Sequence, residues 1–102
     1  MFEIITHKTF DEWLDRLKDR KAAAKINARL RSASAGNLGD VEPVGEGFSE
    51  FRIHYGPGYR VYFKQYGRFV LVVLCGGIKK TQRKDIERAK TLFAVWETEN
   101  GR

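Results

Sequence analysis

The sequence has 102 residues, enough for one domain around a single hydrophobic core. Hydrophobic residues make up 42%, which excludes a disordered chain, and no apolar run reaches the length needed to cross a bilayer. Nineteen Lys and Arg against thirteen Asp and Glu give a net charge of +6, which points to an anionic partner, either nucleic acid or an acidic protein segment. A solvated basic surface is the plain alternative, and the placement of the charges decides between them.

Met1-Phe2-Glu3-Ile4-Ile5 lacks a basic stretch, an apolar stretch and a small-residue cleavage site, so it does not read as a signal peptide. The lone cysteine, Cys75, sits in an apolar run and reads as a buried core thiol. These features favour the cytoplasm.

Residues 2–6 read as a short strand. Thr9 and Glu12 have the spacing of a capping box, and Phe10, Trp13, Leu14 and Leu17 then form one helical face. Asp19 is placed to cap a second helix, from about Lys21 to Ala35, whose inward stripe is Ala23, Ile26, Leu30 and Ala33. A glycine-punctuated loop over 36–47 holds a possible short strand at Val41 to Val44. Three strands follow, Phe48–Tyr55, Tyr59–Tyr66 and Arg68–Cys75, with turns at Gly56-Pro57-Gly58 and Gly67. The short connections predict an antiparallel meander. After Gly76-Gly77, read as a sharp turn, Thr81 is placed to cap a last helix with the stripe Ile86, Ala89, Phe93 and Trp96. The tail, Glu99 to Arg102, is expected to fray. The order is strand, helix, helix, three or four strands, helix, all in one domain over 1–102. That is an α+β fold with the helices on one face of a sheet.

Alternation along the strands separates two faces. Phe51, Ile53, Tyr55, Tyr59, Val61 and Phe63 are expected to meet the helices. Arg52, His54, Arg60, Tyr62 and Lys64 are expected to share one open face, a cationic and aromatic surface of the kind that holds phosphates and stacks bases. An ordinary wet sheet face, with cations that blunt aggregation, is the competing interpretation. Lys79, Lys80, Arg83 and Lys84 gather at the start of the last helix, where free N–H groups favour anions and the helix dipole disfavours cations. His7 and His54 have no metal-site spacing, and there is no phosphate-binding glycine-rich motif. Neither a metal nor another cofactor is expected. His54 has the chemistry of a general acid or base near neutral pH.

Three segments carry a pattern in combination. Glu50-Phe51-Arg52-Ile53 and Gly56-Pro57-Gly58-Tyr59-Arg60-Val61-Tyr62 are followed by Gly76-Gly77 with Lys79, Gln82, Asp85 and Ile86. Together they resemble the RelE/ParE toxin superfamily, and more closely its HigB-like branch of addiction-module killer proteins, over nearly the whole chain. The resemblance implies two N-terminal helices packed on a twisted, mainly antiparallel sheet, plus a C-terminal helix and a basic concave surface. It implies a type II toxin that enters the ribosome and cuts mRNA without a metal, through attack of the RNA 2′-OH on the adjacent phosphate. Arg60 matches a catalytic arginine of that pattern. Lys79, with Lys80 or Arg83, matches the cations before the last helix. Arg52 would help cradle the phosphate. Lys64, Lys80, Gln82, Arg83 and Lys84 would bind RNA or the ribosome. The tyrosine that RelE carries near its C-terminal end has no counterpart in Lys84-Asp85-Ile86-Glu87, so Tyr62 or His54 could substitute as base, or none is needed. The implied partners are the ribosome, mRNA and an adjacently encoded antitoxin, often with a helix-turn-helix domain; no membrane partner is expected. The same fold also hosts ParE-like gyrase poisons, which act by binding. A basic module that has lost activity is the third alternative.

Overall fold

The structure, a computed structural model, describes residues 1–101. Its elements are β1 (Glu3–Thr6), α1 (Lys8–Arg16), α2 (Arg20–Ser34), β2 (Val41–Gly45), β3 (Phe48–Ile53), β4 (Tyr59–Tyr66), β5 (Val70–Ile78), a 3-10 turn (Lys79–Thr81) and α3 (Gln82–Asn100). This is an α+β fold with a five-stranded mixed sheet in the order β1-β5-β4-β3-β2 and three helices. The meander β3–β4–β5 is antiparallel as its short turns require, and β2 adds antiparallel to β3. The departure from a mainly antiparallel arrangement is β1, which runs parallel to β5. Of the tail expected to fray, Glu99 and Asn100 belong to α3, and Arg102 lies outside the described residues.

Local chemistry sets the helix ends. Asp19 caps α2, accepting from the backbone N–H groups of Lys21 at 3.0 Å and Ala22 at 3.2 Å. The capping box expected of Thr9 and Glu12 does not form. Helix α1 starts at Lys8, which leaves Thr9 inside it, and the His7 Nδ1 accepts from the Thr9 N–H at 3.0 Å. Thr81 occupies the N-cap of α3 but makes no side-chain cap; its hydroxyl donates instead to Asp85 Oδ2 at 2.5 Å.

The helices do not share one face. Helices α1 and α2 bury Phe10, Ala22, Ile26 and Ala33 against Phe51, Val61, Phe63, Leu71 and Val73. On the opposite face, α3 buries Ala89 and Phe93 against Phe48, Tyr62, Val72, Leu74 and Cys75. Strand β5 is therefore covered on both sides, and Leu71 to Gly77 are all buried.

Gly76 and Gly77 do not turn the chain; both lie within β5. Their role is close approach from opposite sides. A Cβ at Gly76 would overlap the ring of Trp13 from α1, and one at Gly77 would overlap the carboxylate of Asp85 from α3. The paired glycines thus let a helix settle on each face of the same strand.

Candidate nucleic-acid interface

The face of β3 and β4 expected to be open is roofed by α3. Arg60 is 4% exposed and Tyr62 is 0% exposed. Both belong to a buried polar cluster. The Glu50 carboxylate, from β3, lies 3.6 Å from the Arg60 Nε and accepts from the Gln82 amide at 2.9 and 3.0 Å. One Arg60 terminal nitrogen also donates to its neighbour's carbonyl, Tyr59 O, at 3.4 Å. Among the described residues the Arg60 Nε and the Tyr62 hydroxyl have no hydrogen-bond partner. Burial, then the nearby Glu50 and Asp85 carboxylates, push the Tyr62 phenol well above its ordinary pKa. Tyr62 is thus a protonated core group in this arrangement, and neither it nor Arg60 meets solvent.

The other residues of that face are held at its margin. Arg52 pairs with Glu42 at 3.3 Å. His54 Nε2 lies 2.5 Å from Asp40 Oδ2. Lys64 is half-buried, its ammonium over the rings of Phe48 and Phe93 and donating to the Glu46 carbonyl at 3.2 Å. The sheet therefore does not gather Arg52, His54, Arg60, Tyr62 and Lys64 into one accessible surface.

The second cluster is accessible. Lys79, Lys80, Arg83 and Lys84 are all exposed, on the 3-10 turn and the first turn of α3. Arg88 is exposed one turn further along. Among the described residues none of these five makes a salt bridge within the chain. The platform beneath them is rigidly attached. The Lys79 N–H donates to Gly58 O at 2.8 Å, Gln82 reaches Glu50, and Asp85 is buried against Gly77. Gln82, expected to bind RNA, instead points its amide inward to Glu50. The result is an exposed basic ridge whose cations, among the described residues, are free for an external anion.

Sequence reasoning missed the groups that hold Arg60, His54 and Arg52 in place. Glu50 lies on the same face as Arg60, and its register partner is Tyr62, next but one to Arg60, so strand alternation holds a signal for their pairing. Asp40 and Arg29 had no such signal. Arg29, from α2, donates to Asp40 O and to Arg52 O, both at 3.1 Å, and fixes the loop before β2 to the sheet. Among the described residues no cluster of three His, Cys, Asp or Glu is placed to hold a metal ion, and no helix is long and apolar enough to cross a membrane.

No family model and no solved structure matches the chain. An uncharacterized protein of Haemophilus influenzae is 50% identical over 90 residues, covering 88% of this chain and 91% of that protein. The chain belongs to the same family as that protein.

Proposed function

We propose that the chain is the toxin of a type II toxin–antitoxin pair, of RelE/ParE type and nearest the HigB-like branch, and that it stops translation by cutting mRNA on the ribosome. The observation that carries this reading is the basic ridge at the start of α3. Lys79, Lys80, Arg83 and Lys84 are exposed, unpaired among the described residues and set where the helix dipole opposes them. Cations kept there against local stability suit a polyanion, since each phosphate they neutralise releases counterions. The RNA supplies its own nucleophile, the 2′-OH, so the protein needs only cations and a base and no metal. The partners are the ribosome, mRNA and an adjacently encoded antitoxin, and the site of action is the cytoplasm.

The burial of Arg60 and Tyr62 favours a second reading, a ParE-like gyrase poison that acts by binding. Induction in cells, with translation, transcript integrity and DNA supercoiling followed side by side, separates the two. Translation arrest with broken transcripts and unchanged supercoiling supports the nuclease. Altered supercoiling with intact transcripts replaces it with the gyrase reading.

A further inference from the structure

A cleft of about 420 Å³ lies between α2 and the end of β3, away from the ridge, and is lined by Lys25, Arg29, Ser32, His54 and Tyr55. It combines the two kinds of group that phosphodiester cleavage by an internal hydroxyl needs: cations and an oriented imidazole. His54 is open to solvent, with 61% of its side chain exposed, and its Nε2 is held by Asp40. The Asp40 carboxyl titrates below its ordinary value, chiefly through this hydrogen bond, so it is ionised at neutral pH and can only accept. Nε2 therefore carries the hydrogen in the neutral ring, and Nδ1 keeps its lone pair. Among the described residues Nδ1 has no hydrogen-bond partner. Arg29 is fixed in the cleft by two backbone carbonyls, while the Lys25 ammonium sits over the Tyr55 ring, 5.2 Å from its centroid, and is exposed.

We propose that His54 is the general base of the cleavage step, that Asp40 is its positioning residue, and that the α2–β3 cleft seats the scissile phosphate beside Lys25. This rests on the nuclease reading and supplies the base that buried Tyr62 does not. In the step, His54 Nδ1 takes the proton of the 2′-OH while the 2′-oxygen forms a bond to the adjacent phosphorus. The P–O5′ bond breaks, and its electron pair leaves on the 5′-oxygen, which takes a proton from water. The products are a 2′,3′-cyclic phosphate and a 5′-hydroxyl, and His54 returns its proton to solvent. Lys25, with Arg29 behind it, offsets the charge that builds on the phosphate oxygens.

The test uses the full chain with purified ribosomes carrying a defined mRNA, under single-turnover conditions. His54→Ala and His54→Gln, each checked for an unchanged circular dichroism spectrum, should slow cleavage by on the order of a hundredfold or more. Millimolar imidazole should restore part of the rate to His54→Ala. It should restore none to a variant with Lys79, Lys80, Arg83 and Lys84 all changed to Ala. Asp40→Asn should lower the rate constant with ribosome affinity unchanged. A folded His54→Gln protein cutting at the wild-type rate overturns the proposal alone. So does a slow His54→Ala that imidazole leaves unrescued, or an Asp40→Asn protein of full rate. Wild-type protein that leaves ribosome-bound mRNA intact overturns the nuclease reading, and this proposal with it.

Discussion

The Arg60 guanidinium and the Glu50 carboxylate form an ion pair sealed beneath α3, with Nε 3.6 Å from Oε2 and both side chains at most 5% exposed. Removing one partner leaves the other charge buried and uncompensated, which costs about 3–5 kcal/mol. Arg60→Ala and Glu50→Ala should each lower stability by that amount in urea denaturation. The double variant Arg60→Met/Glu50→Leu should recover most of the loss. An Arg60→Ala protein with a wild-type urea midpoint would place Arg60 in solvent and contradict the buried pair. On the proposed toxin reading, loss of toxicity in Arg60→Ala is therefore expected to accompany loss of fold.

Gly77 and Asp85 provide a second structural test. A methyl group at Gly77 meets the Asp85 carboxylate, so Gly77→Ala must push α3 away from β5. Overpacking of this kind costs about 1–3 kcal/mol. The penalty should shrink when Asp85 is also changed to Ala, because the clash goes with the carboxylate. A thermal or urea double-mutant cycle measures that coupling. Independent effects of the two substitutions would contradict the close approach.

Cys75 is buried between β5 and α3, with its thiol near the Asp85 carbonyl at 3.6 Å. Burial first, then the Asp85 charge, raises its pKa to about 12. The thiolate is the reactive form, so at neutral pH the native protein should react very slowly with Ellman's reagent. The rate should track global unfolding as urea is added. Prompt labelling in native buffer would show α3 to be loosely attached.

Asp40 carries a pH signature. Its hydrogen bond to His54 is the main cause of its lowered pKa, and Arg52, His54 and Arg29 add charge in the same direction. A carboxylate depressed in the folded state stabilises the fold above its unfolded pKa, and that contribution fades as pH falls through the folded value. NMR titration of the Asp40 carboxyl should give a midpoint below that of free aspartate. His54→Ala should move the midpoint back up. A normal Asp40 midpoint in the wild-type protein would mean that the pair does not persist in solution.

Much of the fold was legible because local rules governed it. Asp19 capped α2 as its position before an apolar-periodic run required, and the glycine-containing turns set the meander. The buried state of Cys75 followed from its run. The failure was the side taken by α3. Alternation divides β3 and β4 into two faces but does not say that a polar face is wet. Here Glu50 pairs with Arg60 and accepts from Gln82, so a face that reads as solvated becomes interior. A sequence signal for this existed. Val70 to Cys75 is continuously apolar rather than alternating, which marks a strand covered on both faces and calls for a second layer. The His54–Asp40 contact had no local signal, since the pair lie fourteen positions apart with two strands, β2 and β3, between them.

The proposed role of the basic ridge is to grip ribosome-bound mRNA. Its direct measurement is end-mapping of a defined mRNA on purified ribosomes. The wild-type protein is compared with a protein in which Lys79, Lys80, Arg83 and Lys84 are all changed to Ala. The wild-type protein should cut, leaving 2′,3′-cyclic phosphate ends, and a 2′-deoxy nucleotide at the cut position should block it. The fourfold variant should remain folded, because none of these side chains is buried or paired among the described residues, and should lose cleavage at physiological salt. Full cleavage by the fourfold variant, or cleavage of the 2′-deoxy mRNA at the normal rate, would contradict the account.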